Sequence, residues 1–229
     1  MGFYFDSTYL ILLPAILISM YAQIKINSTY GQYRRIQSAQ GFSGAEVARR
    51  ILDANGLSDV QIQRVSGSLT DHYDPSKRVV RLSGEIHDGS SIASISVAAH
   101  ECGHAIQHSQ GYAPLKIRGA IFPVVKFGSY LSWIFIFGGL LFDLFNLAMI
   151  GIIFFSFSVI FQLVTLPVEF NASRRALAQL ETLGLATESD RYGAKKMLSA
   201  AALTYVAAAL AAIAQLLRLL AIFGRRNDR

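Results

Sequence analysis

The distribution of hydrophobic and polar residues divides the chain into four long apolar segments and the polar stretches between them. The apolar segments cover residues 6–26, 121–142, 144–166 and 200–223. Each holds about 20 residues, the length that an α-helix needs to cross the hydrocarbon core of a bilayer. We therefore predict an α-helical integral membrane protein with about four transmembrane helices. The first is interpreted as a retained anchor kinked at Pro14.

The longest polar stretch, residues 27–118, combines helical and strand patterns. Ser43 and Glu46 have the spacing of a capping box before an amphipathic run, which predicts a short helix. Alternating apolar positions in residues 60–65 and 78–82 predict two or three short strands, with a proline-containing turn before the second run. An edge strand here could bind an extended peptide, and a plain structural hairpin is equally consistent. This stretch is predicted to be a small α+β domain.

Composition supports a membrane protein, since 52% of the residues are hydrophobic and only 16% are charged. The net charge of +6 does not indicate nucleic-acid binding, because the basic residues gather beside apolar runs. Lys25, Arg34 and Arg35 follow the first apolar segment, so the positive-inside rule places residues 27–118 in the cytoplasm. The single cysteine, Cys102, excludes an intrachain disulfide and suits a reducing compartment.

Residues 100–104 form the pattern H-E-x-x-H within a run that is predicted to be one helix from Ser91 to Gln110. Two histidines four positions apart lie on the same face of a helix, so His100 and His104 can bind one ion. Glu101 lies beside that ion without binding it, where its carboxylate can take a proton from a zinc-activated water. The pattern therefore predicts part of a catalytic zinc site. The alternative is a helix that carries two stacked histidines by chance.

The third ligand has to come from another segment. His108 is in the same row, but it lies about 12 Å along the helix axis from His100, too far to share one ion. Residues 119–166 are predicted to form a transmembrane hairpin, and its short outer turn at Asp143 lacks basic residues. The hairpin returns residues 167–198, a predicted cytoplasmic helix, to the side of the two histidines. Glu169 at its start is thus the candidate ligand, although a solvated or arginine-paired glutamate is also possible.

Taken together, these segments resemble the bacterial membrane-bound neutral zinc metallopeptidases of the YugP type. The resemblance rests on the anchor, on residues 71–77, 97–108 and 166–175, and on the alanine-rich C-terminal region 199–229. More distantly, the chain is similar to the protease HtpX and the CaaX prenyl protease, in which the third ligand begins an E-x-x-A-D-like motif. Here Ser173 stands at the aspartate position, so Asn171 or another residue would have to support a ligand histidine.

The resemblance implies a gluzincin-type zinc endopeptidase in the bacterial plasma membrane, with one Zn²⁺ on His100, His104 and Glu169 and with Glu101 as general base. Its site would face the cytoplasm and act on peptides or on membrane and juxtamembrane protein segments. The candidates for a second oxyanion donor are His72, Tyr73, His87 and Arg174.

Two other classes of function are weighed against the peptidase. One is a catalytically inactive scaffold or adaptor that keeps zinc for stability. The other is a channel or transporter, which is disfavoured because the apolar segments hold almost no ionisable residues beyond Lys126 and Arg218. The C-terminal helix either spans the membrane or packs against other membrane helices, and we favour a span. Membrane-protein partners and a homo-oligomer are both left open.

Overall fold

The computed structural model describes residues 7–227. Within that range the chain is mostly helical and contains one small β-sheet, in agreement with the prediction. After a 3₁₀ turn over Ser7–Ile11, the helices are α1 (Leu13–Tyr33), α2 (Gly44–Ala54), α3 (Gly84–Asp88), α4 (Ile92–Ser109), α5 (Ala113–Leu141), α6 (Phe145–Thr182) and α7 (Glu188–Asn227). Between α2 and α3 lie the strands β1 (Gln61–Val65), β2 (His72–Asp74) and β3 (Val79–Ser83).

Three helices within residues 7–227, namely α5, α6 and α7, are long and apolar enough to cross a membrane. About four spans were expected, and α1 does not belong to this group. Its second half carries Gln23, Lys25 and Asn27, which interrupt the apolar stretch. The predicted anchor also begins at residue 6, which lies outside the described residues.

Two prolines lie at places within their helices that the sequence analysis did not predict. Helix α1 begins at Leu13, so Pro14 lies in its first turn, where the missing N–H breaks no helical hydrogen bond. The prediction of a kink in the middle of the anchor is therefore wrong. A helix boundary was also expected before Pro167, but α6 continues through this residue. A proline removes only one helical hydrogen bond, and a long helix tolerates that loss when the neighbouring turns are intact.

The chain divides into two compact units, which we describe separately. The first consists of Met1–Gln23, Ile117–Leu166 and Thr204–Arg229, and the second of Ile24–Lys116 and Pro167–Leu203. All the residues of the predicted zinc site belong to the second unit.

In the first unit, α5 and α6 pack closely through small residues. A Cβ atom added at Gly139 would lie 2.6 Å from the backbone nitrogen of Ala148, and one added at Gly151 would lie 2.7 Å from the carbonyl oxygen of Ser132. Small residues allow this approach in lipid, where the helices gain little from hydrophobic burial. The predicted tight turn between the two helices is present at Asp143, whose φ is 56°.

The second unit has its core between α2 and α4. Val47, Ile51 and Leu52 of α2 and Ile95 of α4 are completely buried in this core. The predicted capping box of α2 is present, because the Ser43 side chain accepts from the Glu46 N–H while the Glu46 carboxylate accepts from the Ser43 N–H. The apolar side of α4, the helix that carries the H-E-x-x-H residues, is therefore held in place by this core.

The sheet of the second unit has the strand order β1-β3-β2. Strand β1 is parallel to β3, whereas β2 is antiparallel to β3 and forms an edge. The Asp74 carboxylate accepts hydrogen bonds from the N–H groups of Ser76 and Lys77, at 3.0 and 3.2 Å. This is the predicted proline-containing turn, and it joins β2 to β3. The two alternating patterns correspond to β1 and β3, which are parallel neighbours and not a hairpin.

A buried carboxylate fixes the start of α7 to the segment that follows α1. Asp190 is only 4% exposed. One of its oxygens accepts from the Ala39 N–H at 3.1 Å and from the Thr187 hydroxyl at 2.8 Å. It also accepts from the Ser38 hydroxyl at 3.4 Å and the Thr187 N–H at 3.1 Å. Loss of this carboxylate would leave several buried donors without their acceptor.

We expect Asp190→Ala to lower the thermal midpoint of the detergent-solubilised protein by about 5–10 °C, because buried donors would lose their partner. Glu188→Ala is the matched control, since this carboxylate is exposed on the same helical turn and should change the midpoint by less than about 2 °C. Differential scanning calorimetry of both variants checks this expectation. Equal midpoints for the two variants would contradict it.

Candidate metal centre

Helix α4 forms as its sequence predicts. The Ser91 hydroxyl accepts from the Ser94 N–H at the first turn, at 3.1 Å, and the helix ends at Ser109, just before Gly111 with a φ of 64°. The helix brings His100 and His104 onto one face, one turn apart. Their ring centroids are 4.8 Å apart, and the rings are nearly perpendicular, at 86°. Two imidazoles can therefore converge on one point without stacking.

The two residues between Glu101 and His104 fit α4 against two different helices. Cys102 is completely buried, and its thiol faces the Ala48 carbonyl of α2 at 3.6 Å. Gly103 faces α6, where an added Cβ atom would lie 2.6 Å from the carbonyl oxygen of Ala172. Only a residue without a side chain allows this approach. A residue inside the H-E-x-x-H segment, Gly103, therefore allows the close contact between α4 and α6.

The same approach brings the Glu169 carboxylate to the two imidazoles. One of its oxygens lies 3.3 Å from Nε2 of His100 and 3.6 Å from Nε2 of His104. The Glu169 side chain is 3% exposed, whereas the two histidine side chains are 15% and 13% exposed. These three residues form a group whose potential ligand atoms all lie within 4.8 Å of one another. The sequence prediction named these three residues as the ligands.

The spacing of this group fits a zinc ion. Tetrahedral Zn²⁺ with bonds of about 2.0–2.1 Å holds its ligand atoms about 3.4 Å apart, close to the two nitrogen–oxygen distances. Two imidazoles and one carboxylate are also a donor set that catalytic zinc uses, and they leave a fourth position open. The residues present therefore fit a catalytic zinc ion.

Each histidine also has a partner on its second ring nitrogen. Nδ1 of His100 lies 3.2 Å from the Ser173 hydroxyl, and Nδ1 of His104 lies 3.0 Å from Oε1 of Gln107. Ser173 therefore contacts a candidate ligand although a serine replaces the aspartate of the E-x-x-A-D-like motif. Gln107 was missed in the sequence analysis. Its position one turn after His104 is a signal that could have identified it.

Burial and charge act in opposite directions at this group. Burial would lower the pKa of His104, but the carboxylates of Glu169 and Glu101 raise the pKa of this imidazole above its ordinary value. The surroundings of His104 therefore favour the positively charged form of the ring, although the side chain is mostly buried. Burial raises the pKa of the Cys102 thiol far above its ordinary value, so this cysteine stays neutral and serves packing.

Comparison with known proteins places the chain in a family. A family model described as "Putative neutral zinc metallopeptidase" matches residues 8–224. The chain belongs to this family. It is also 50% identical, over 216 residues, to the "Putative membrane protease YugP" of Bacillus subtilis (strain 168), and the match covers 94% of this chain and 96% of the relative. No solved structure matches the chain.

Metal-assisted peptide hydrolysis generally uses a general base and an oxyanion donor besides the metal ligands. Glu101 is buried beside His100 on α4, with 8% exposure. Among the four oxyanion candidates, Tyr73 contacts α4, since its hydroxyl lies 2.9 Å from Nδ1 of His108, one turn after His104. Among the described residues, the group of possible metal ligands consists of His100, His104 and Glu169 and does not include His108.

The other three oxyanion candidates are placed differently. His72 is exposed and contacts Arg81 at 3.2 Å, and His87 contacts Asp88 at 2.6 Å. Arg174 is exposed on α6, on the turn after Glu169. These contacts occupy both histidines with neighbouring charged side chains.

We expect Gly103→Ala to reduce zinc occupancy of the purified protein from about one ion per chain to well below half, because the methyl group would push α6 and Glu169 away. Gly119→Ala is the matched control, since nothing lies within 4 Å of an added Cβ atom there. Metal analysis and thermal midpoints of both variants check this. Unchanged zinc and an unchanged midpoint in Gly103→Ala would disprove the close approach of the helices.

Proposed function

We propose that this chain is a membrane-bound zinc endopeptidase whose metal is held by His100, His104 and Glu169. The observation that carries the proposal is the convergence of these three side chains from two helices at zinc-compatible distances. Membership of the family described as "Putative neutral zinc metallopeptidase" supports the choice of zinc. The donor set and its low exposure are more consistent with a cation site than with a surface ion pair.

The chemistry of peptide hydrolysis follows from these residues. Bound zinc would supply Lewis acidity, which polarises a peptide carbonyl and makes a water molecule a strong nucleophile near neutral pH. The Glu101 carboxylate takes a proton from the attacking water and returns it to the leaving amine nitrogen as the C–N bond breaks. Burial of Glu101 keeps bulk water away from this proton and strengthens its interaction with nearby charges.

Strand β2 is the proposed binding edge for the peptide. It forms one edge of the three-stranded sheet, and its Tyr73 contacts His108 on the metal-binding helix. An extended peptide can add to such an edge through main-chain hydrogen bonds, which gives affinity without a strict sequence requirement. In this arrangement the Tyr73 hydroxyl is the donor that stabilises the developing oxyanion, and His108 orients the hydroxyl.

The membrane topology proposed here has the candidate site on the cytoplasmic face of a bacterial plasma membrane. Helices α5, α6 and α7 are the apolar spans, and α1 serves as an additional N-terminal anchor. Residues 27–118 and 167–198 then form the cytoplasmic zincin-like part, with 6–26, 119–166 and 199–229 in or against the membrane. A site next to the bilayer favours membrane proteins and their juxtamembrane segments as substrates. The relative from Bacillus subtilis carries the name "Putative membrane protease YugP", which supports a location in a membrane.

The decisive test compares three variants with the wild-type protein in detergent on a quenched-fluorescent peptide library. We expect Glu101→Gln to keep one zinc per chain and lose about 10²–10⁴-fold in hydrolysis rate, because it retains the shape but not the base. His104→Ala and Glu169→Ala should lose stoichiometric zinc and activity together. Metal analysis accompanies each assay.

Two outcomes would contradict the proposal. Stoichiometric zinc in Glu169→Ala would remove the third ligand from the account. A Glu101→Gln protein that keeps full biological activity in the cell would instead favour the alternative of a zinc-stabilised scaffold or adaptor. Chelation by 1,10-phenanthroline followed by zinc addition serves as a control, since it should abolish and then restore hydrolysis in the wild-type protein only.

We expect Tyr73→Phe to lower kcat/KM for library peptides by about 100-fold while zinc content stays at one per chain, because only the hydroxyl donor is lost. Tyr112→Phe is the matched control, since this tyrosine hydroxyl donates to the Pro167 carbonyl at 3.4 Å, whereas the Tyr73 hydroxyl contacts His108. Steady-state kinetics of both variants check this. Equal kinetics in the two variants would remove Tyr73 from the mechanism.

A further inference from the structure

Gln107 is a completely buried polar side chain that connects the two helices of the candidate metal site. Its Oε1 lies 3.0 Å from Nδ1 of His104 on its own helix. Its Nε2 donates to the Val168 carbonyl oxygen at 2.8 Å and to Oδ1 of Asn171 at 3.0 Å, both on α6. Val168 directly precedes Glu169. One amide group therefore contacts one candidate ligand and the peptide next to another.

The contacts of Gln107 determine which way round its amide lies. A backbone carbonyl can only accept, so the group that faces the Val168 oxygen must be the NH₂ of the amide. The group that faces His104 is then the carbonyl oxygen, which can only accept. Nδ1 of His104 must therefore carry a hydrogen, so in the neutral ring the lone pair is on Nε2, the nitrogen that lies 3.6 Å from the Glu169 carboxylate. This is the tautomer that binds zinc through Nε2.

A further side chain holds the far end of this arrangement. Oδ1 of Asn171 also accepts from Nε of Arg175, at 2.7 Å. Nη1 of Arg175 donates to Oε1 of Gln110 at 2.7 Å. Gln110 is the C-cap residue of α4, so the hydrogen-bonded series begins and ends on this helix. Because Arg175 can only donate, it forces Asn171 to present its oxygen to Gln107. The orientation of each amide is fixed by the next group in the series.

We propose that Gln107, held by Asn171 and Arg175, is the positioning residue that sets the zinc affinity of this site. It selects the zinc-binding tautomer of His104 and, through the Val168 carbonyl, holds Glu169 at the distance that zinc requires. The inference rests on the proposed zinc site, but it concerns metal binding and not peptide cleavage. Partners of this kind change metal affinity by about 10–100-fold when they are removed.

The test measures zinc affinity by competition with a fluorescent chelator, without any substrate. We expect Gln107→Met, which keeps the length of the side chain and loses its hydrogen bonds, to weaken zinc binding by about 10–100-fold. Gln179→Met is the matched control, because Gln179 links α6 to the C-cap residue of α2, Asn55, at 2.8 Å and is two to three turns away from Glu169 on α6. It should lower the thermal midpoint and leave zinc affinity within about twofold.

A second variant and a spectroscopic readout keep the test decisive if Gln107→Met folds poorly. Arg175→Met removes only the outer support and should weaken zinc binding by a few-fold. Cobalt-substituted Arg175→Met should also show shifted visible absorption bands, because the His104 ring is less firmly held. Wild-type affinity and wild-type cobalt spectra in every folded variant would overturn the inference. A wild-type protein that binds zinc but cleaves no peptide would contradict the peptidase proposal alone.

Discussion

The close contact between α4 and α6 at Gly103 is the constraint on which the candidate site depends. The absence of a side chain at this position allows the Ala172 backbone to approach, and that approach carries Glu169 to within 3.3 Å of His100. A carboxylate in such a buried place needs a partner of opposite charge or several hydrogen bonds. The two imidazoles lie against this carboxylate, and the proposed zinc ion would supply the positive charge. Close packing and the convergence of the candidate ligands are therefore two consequences of the same helix contact.

Four polar side chains around the site form hydrogen bonds with the candidate ligands or with one another. Ser173 contacts one candidate ligand and Gln107 the other, while Asn171 and Arg175 fix the orientation of Gln107. Buried polar networks of this kind stabilise a single arrangement only when every member is satisfied. In the proposed zinc site, this rigidity would keep the candidate ligands in place when no peptide is bound.

Local patterns were sufficient to predict α4, its caps, the capping box of α2 and the turn after Asp74, because neighbouring residues determine these features. Glu169 could be predicted as a candidate ligand from the membrane topology, since a hairpin of two apolar helices returns the chain to the side of the two histidines. Gln107 and the role of Gly103 were not predicted, because both act through contacts with α6 that exist only after folding. The continuity of α6 through Pro167 was missed for a related reason: the rest of a long helix outweighs one lost hydrogen bond.

The most direct measurement of the central claim is X-ray absorption at the zinc edge on the detergent-purified protein. We expect four nitrogen or oxygen ligands at about 2.0–2.1 Å, outer scattering from two imidazole rings, and no sulfur at about 2.3 Å. The spectrum of Glu169→Ala should lack this pattern. A sulfur ligand, three imidazoles, or an unchanged spectrum in Glu169→Ala would contradict the shared site between α4 and α6.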